Sequence, residues 1–280
     1  MNFTPLPREY IASTIRRENE TLGVHLKAKE EFELYNIYRN PRAPGKYYDA
    51  PKILFPEFFV KHGVTQEVLY MHTLYPLAAV LGRIKADCKY TPRTYWKICL
   101  LCIKDDIQHY GAAYMHVDHI FRHVSVCAKH ATQLYERCPT CNKTIIQHKI
   151  FEFSKCYTKY PAEQKNEGSP RHLYSRFISD LLNYRGENLG KVLPDVIIHR
   201  VREKNFPNEK RKNMHELNQE AEDKLGIEKT DKWVYQLDMG LMSAHAFLAC
   251  SDAQEYLEHA HRLSSLHNPE KSRHAIAGVN

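Results

Sequence analysis

What the chain lacks narrows it first. Its 280 residues include only 11 glycines, which excludes collagen-like and glycine-rich linker architectures. Its longest apolar stretches, Leu74–Leu81 and Ile98–Ile103, fall far short of the ~18–20 residues that cross a bilayer, and Pro76 interrupts the first. No membrane span is therefore expected. A P-loop is missing as well: the Gly-Lys pairs, Gly45-Lys46 and Gly190-Lys191, are followed by Tyr47 and Val192 rather than Ser or Thr, so nucleotide hydrolysis, if needed, must come from a partner. The opening MNFTPLPREY has no basic n-region followed by an apolar run, which predicts a cytoplasmic protein with reduced cysteines.

Apolar residues make up 43% of the chain, enough for a packed core and too many for a disordered segment. The net charge of +7 is unevenly spread: residues 1–212 carry 34 basic and 22 acidic side chains, and residues 213–280 carry 6 and 11. The basic part is the candidate polyanion binder.

Helical spacing runs through Tyr10, Ile11, Thr14, Ile15 and Leu22, with Pro7 before it and Gly23 after it, predicting a helix over about 8–22. Ala28, Phe32, Tyr35 and Tyr38 mark a second helix, and the prolines of 40–56 a long loop. Thr65 suits the N-cap of a helix carrying Val68, Leu69 and His72, which Pro76 would end. After a polar hinge at Glu163–Pro170, Leu173 to Leu182 restart a helix that Gly186 would close. Two more are expected, one from Pro194 through Val201 and one from Met214 to Leu225. The apolar group Trp233, Leu237, Met239, Leu241, Met242, Phe247 and Leu248 reads as the closing core of this helical region.

Between Cys99 and Cys156 lie six of the eight cysteines. Cys99-x2-Cys102 and Cys127-x2-His130 each place two ligands on one tight turn, and together they supply the three thiolates and one imidazole of a tetrahedral zinc shell. A closed shell leaves no position for a reacting water, so the expected role is structural. Cys138 and Cys141 form a third knuckle that His148 and Cys156 could complete as a second zinc site; the same residues could also persist as packing without metal. Cys88 and Cys250, both isolated, read as core thiols. His116, His119 and His123 would share a face if the segment after Gly111 were helical, and amphipathic packing explains them better than a metal site.

Cys99-x2-Cys102, Tyr110-Gly111, Tyr114, His116, His119, Cys127-x2-His130, Leu134 and Cys138-Pro139-x-Cys141, in this order, resemble the zinc-ribbon core of the TniQ/TnsD family of transposon target-selection proteins. Pro7-x-Glu9-x3-Ser13-x2-Arg16 is similar to that family's opening helix, and Tyr70-x-His72-Thr73-Leu74-Tyr75-Pro76-Leu77 to a segment of its TnsD branch. The likeness covers roughly 5–145 and continues more loosely through Val196–Leu225. Lys159 stands where the family's second ribbon has a cysteine. The resemblance implies an adaptor rather than an enzyme. Such a protein of the bacterial cytoplasm, with zinc as cofactor, would join target DNA or a CRISPR Cascade ribonucleoprotein (crRNA and Cas subunits) to the AAA+ ATPase TnsC. A homodimer is a further candidate assembly.

The implied fold is mainly α with a small zinc-ribbon (β-knuckle) insert: an N-terminal helical domain over 1–95, a zinc-ribbon domain over 96–162 and a helix-turn-helix-like C-terminal domain over 170–280. Arg200, Arg202, Lys204, Lys210, Arg211 and Lys212, between two expected helices, are the candidate phosphate contacts. Asn218 and Gln219 on the next helix are candidates for reading adenine edges. Two other readings stay open. One is direct sequence-specific DNA binding in the TnsD manner; the other is a zinc hydrolase or nuclease using His116, Asp118, His119, Asp105 or Asp106, which requires an open metal position.

Overall fold

Helix α1 (Ile11–Leu22) starts later than apolar spacing predicts. Arg8 sits at φ 61° and Glu9 forms an antiparallel bridge with His116, so neither can join the helix. Gly23, at φ 65°, closes α1 by donating its N–H to the Asn19 carbonyl, a left-handed cap that glycine adopts without strain. The computed structural model describes residues 4–24, 65–81, 96–204, 214–227 and 239–267. The helix expected through Ala28 to Tyr38, the loop 40–56, Cys88, Lys210, Arg211, Lys212, Trp233 and Leu237 lie outside the described residues.

Helix α2 (Gln66–His72) has the predicted cap, the Thr65 hydroxyl accepting from the Val68 N–H. Pro76 does not end it: Thr73 does, and Pro76 sits in the first turn of α3 (Tyr75–Leu81), where a missing N–H costs nothing. There follow α4 (Leu100–Tyr110), the short α5 (Val117–Ile120), α6 (Phe153–Cys156), α7 (Pro170–Leu182), α8 (Leu193–Lys204), α9 (Met214–Leu225), α10 (Met239–Cys250) and α11 (Ala253–His267). Ser169 caps α7 through the His172 N–H, and Asn183 rather than Gly186 terminates it. Strand structure among the described residues is limited to isolated antiparallel bridges: Ile98 with Tyr135, Val126 with Gln133, Arg137 with Thr144, and the Glu9–His116 pair. The expected β-knuckles are thus single bridges flanking tight turns rather than ribbons. No helix among the described residues is long and apolar enough to cross a membrane.

The chain divides into two compact units. In the first, described over 4–24, 65–76 and 96–183, α1 packs on α2 and on a 3-10 turn at Ile150–Glu152, and α5 packs on α7. Its hub is Glu9, wholly buried. Glu9 Oε2 accepts from the Leu6 N–H and Arg17 Nη2, both at 2.9 Å, and Oε1 from Arg17 Nε at 3.1 Å and the Ser13 hydroxyl at 3.2 Å. The Ser13 oxygen in turn accepts from the Met115 N–H, and the Glu9 carbonyl lies 2.6 Å from His72 Nδ1. Glu9 thereby ties together the N-terminal segment and α1 through its carboxylate, α2 through its carbonyl, and the strand-like stretch before α5 through Ser13.

In the second unit, described over 77–81, 184–204, 214–227 and 239–267, α10 is the centre. Its buried Leu241, Met242, Ala244, Ala246, Phe247 and Ala249 occupy several faces, the pattern of a helix enclosed on most sides, and α8, α9 and α11 pack around it. The Tyr256 hydroxyl donates to the Val80 carbonyl at 2.9 Å, and the Leu189 and Gly190 N–H groups both bond the Ala79 carbonyl, anchoring the C-terminal part of α3 in this unit.

Candidate metal centres

The first Cys/His group is assembled by one helix start and one tight turn. Cys99 is the N-cap of α4, its sulfur accepting from the Cys102 N–H, so both sulfurs lie at the positive end of the helix. In the second turn the Ala131 N–H bonds the Cys127 carbonyl at 2.9 Å, and Ala131 takes φ 57° so that the chain folds back into the Val126–Gln133 bridge. The four donor atoms converge: Cys102 Sγ to His130 Nδ1 is 3.3 Å, Cys99 Sγ to His130 Nδ1 3.4 Å, Cys102 Sγ to Cys127 Sγ 3.7 Å and Cys127 Sγ to His130 Nδ1 3.8 Å. A zinc tetrahedron with bonds of ~2.3 Å to sulfur and ~2.0–2.1 Å to nitrogen has edges of about 3.8 Å between sulfurs and about 3.5 Å from sulfur to nitrogen. The donor set and its spacing fit that ion.

The surroundings fit it too. Neighbouring Cys127 and Cys99 sulfurs, with burial, hold the Cys102 thiol up, while hydrogen bonds from Cys102 and Cys127 hold the Cys99 thiol down. Three thiolates crowded together repel one another, and a bound cation offsets that repulsion. His130 Nε2 lies 3.2 Å from Asp105 Oδ2, which fixes the proton on Nε2 and leaves the Nδ1 lone pair facing the sulfurs. Burial pushes the His119 imidazole down to about 3, and its Nε2 lies 4.0 Å from Cys102 Sγ, so a neutral imidazole borders the sulfur cluster. Asp105→Ala is expected to cost 10–100-fold in zinc affinity at this centre, as outer-sphere partners of metal-bound histidines typically do, measured by competition with a chromogenic chelator.

Cys138, Cys141, His148 and Cys156 form a second group, their donor atoms all within 4.8 Å of one another. The turn has the same construction: the Asn142 N–H bonds the Cys138 carbonyl at 2.8 Å, and Asn142 adopts φ 59°. His148 Nδ1 bonds the Lys149 carbonyl at 2.8 Å, which leaves Nε2 to face Cys156 Sγ at 3.4 Å, and the ring stacks on Phe153. His148 supplies the donor that Lys159 cannot; Lys159 lies in the 3-10 turn Tyr157–Lys159, outside the group. Helix α1 reaches this region through Arg16, which donates to the Ile146 carbonyl, and Glu20, which accepts from the Ile150 N–H.

The segment after Gly111 does not form the helix that would align His116, His119 and His123. Helix α5 spans only Val117–Ile120 with His116 as its N-cap, because buried Lys97 donates to the carbonyls of Phe121, Arg122 and Val124, acceptors a continuing helix needs. The carboxylates considered for hydrolysis line a cleft of about 430 Å³, and each is paired: Asp105 with Lys129 and His130, Asp106 with His116, Asp118 with Arg8.

Of the candidate nucleic-acid residues, Arg200 is largely covered and paired with Glu203 and Glu255, and the Asn218 side-chain oxygen lies 2.9 Å from His245 Nε2. Both are spent on holding the second unit together. Arg202 and Gln219 are exposed, Gln219 donating to Asp223. The backbone of Lys204 closes α8. Sequence reasoning missed Arg17 and the orienting role of Asp105, whose partner His130 is 25 residues away and so outside any local spacing pattern.

No curated protein matches this chain. Residues 1–134 match the TniQ family model, a span that takes in α1 with its Glu9 hub and all four residues of the first metal group. Residues 1–134 are thus a TniQ domain, which implies a transposon-associated target-selection role in general terms.

Proposed function

We propose that this protein is a target-selection adaptor of a Tn-type mobile element, acting in the bacterial cytoplasm to link an RNA-guided Cascade complex to the AAA+ regulator TnsC. The observation that carries this reading is the TniQ match over residues 1–134 on a unit whose two Cys/His groups each supply four ligands. Zinc held at Cys99, Cys102, Cys127 and His130, and at Cys138, Cys141, His148 and Cys156, would stiffen a docking platform, because a four-ligand shell has no vacancy for a substrate. Each bound zinc supplies a fixed tetrahedral cross-link and nothing more.

Direct DNA selection in the TnsD manner is the second reading, favoured by the basic stretch Arg200–Lys212. Arg200 and Asn218 are withdrawn from it by their internal pairs, which leaves Arg202, Lys204, Lys210, Arg211 and Lys212 for phosphate and Gln219 for a base edge. Contacts of the first kind carry no sequence information and weaken with a slope of about −0.9 in log K per phosphate as log salt rises.

The test is selection from a random duplex pool at near-physiological salt, paired with affinity capture of Cascade and the ATPase. The adaptor reading expects no enriched motif and recovery of both partners. An enriched motif with no Cascade recovery overturns it in favour of direct selection.

A further inference from the structure

Helix α8 carries His199 and Glu203 one turn apart on the same face, and α11 brings His259 to them, with one donor atom from each residue within 4.8 Å of the others. His199 Nδ1 lies 3.2 Å from Glu203 Oε1, is shielded from solvent and makes no hydrogen bond. The two imidazole rings are 6.1 Å apart between centroids. The two oxygens of Glu203 are divided in their duties. Oε2 accepts from Arg200 Nη1 at 2.5 Å, and Arg200 is itself held by Glu255. Oε1 is thereby left turned toward His199, as a carboxylate is when an outer partner orients it for a metal.

One cation already borders this space. Arg262, whose side chain is 53% exposed, places Nη2 3.7 Å from Glu203 Oε1 and 2.8 Å from His259 Nδ1. A guanidinium only donates, so that contact requires His259 Nδ1 to present its lone pair, the form in which imidazole binds a metal.

We propose that His199, Glu203 and His259 form a third metal site, taking a first-row divalent ion of the zinc type and pinning α8 to α11. Two imidazoles and a carboxylate are a borderline donor set, distinct from the thiolate-rich groups of the first unit. Three protein ligands leave at least one position of a tetrahedral shell to water. Arg262 holds the place of the ion when none is bound, and its exposed side chain swings into solvent on metal entry. Because the ion must displace Arg262 and tolerate Arg200 nearby, the site fills at micromolar free zinc, after the thiolate groups.

Equilibrium dialysis of the full chain against zinc buffered through the micromolar range tests this, with metal counted per chain. The intact protein is expected to take up one equivalent more than His199→Ala/His259→Ala and one more than Glu203→Gln, which keeps the shape of the side chain. The difference is independent of how full the cysteine groups are. Circular dichroism confirms that the variants stay folded, since these side chains are partly exposed. Arg262→Ala is expected to lower the half-saturating zinc concentration several-fold. Equal uptake by all chains overturns the site, and an unchanged half-saturation in Arg262→Ala overturns the role given to that arginine.

Discussion

Cys102→Ser is expected to lose one zinc per chain and to abolish the cooperative melting of the first unit. Structural zinc contributes about 10–16 kcal/mol of folding free energy in small fingers, as much as or more than the ~5–15 kcal/mol that separates a folded domain from its unfolded ensemble. A serine hydroxyl does not replace the thiolate, and the remaining Cys99, Cys127 and His130 would crowd together around an incomplete shell. Packing elsewhere in the unit, at Tyr10, Ile11, Tyr114 and Phe177, is extensive, so helix content survives better than fixed tertiary structure. Far- and near-ultraviolet circular dichroism separate the two. A metal-free Cys102→Ser protein with the wild-type melting temperature would show that the group is packing alone.

The second large effect is expected at Arg17. Replacing it by Met keeps much of the side chain's bulk and removes two of the four hydrogen bonds converging on the Glu9 carboxylate, three Arg17 contacts being shared between Nε and Nη2. Glu9 is wholly buried, so the variant holds a carboxylate without its counter-charge, which costs about 3–5 kcal/mol. Urea denaturation measures the loss. The double variant Glu9→Gln/Arg17→Met should recover part of it, because the uncompensated charge is gone; a double variant as unstable as the sum of the singles would mean the two residues act independently.

Parts of this architecture were legible in the sequence for reasons that the structure makes plain. Thr65 announces a helix start because capping is local chemistry, readable within four residues, whereas Ser169, read only as part of a polar hinge, proves to cap α7. Cys99-x2-Cys102 and Cys127-x2-His130 are legible because each pair must lie on one turn, and Glu9, Ser13 and Arg16 stand in the opening motif where the structure gives all three a hydrogen-bonding task. What the sequence hid depends on contacts between distant segments. Lys97 takes the carbonyls that would have continued α5, and the Glu9–His116 bridge delays α1. Arg200 and Asn218 look like surface groups in a helical pattern until Glu255 and His245 arrive from helices that follow later in the chain. His148, by contrast, is named from the sequence as a candidate to complete the second group although no knuckle spacing marks it, and the structure brings it there, its ring aimed by the Lys149 carbonyl and the Phe153 face.

The central claim is that two four-ligand Cys/His groups hold metal and organise the TniQ unit. Native mass spectrometry of the chain, dialysed against metal-free buffer without chelator, tests it most directly. The account predicts a mass corresponding to two zinc ions per chain, with the third, weaker site emptied by dialysis. The apo mass on a chain that remains folded would contradict it.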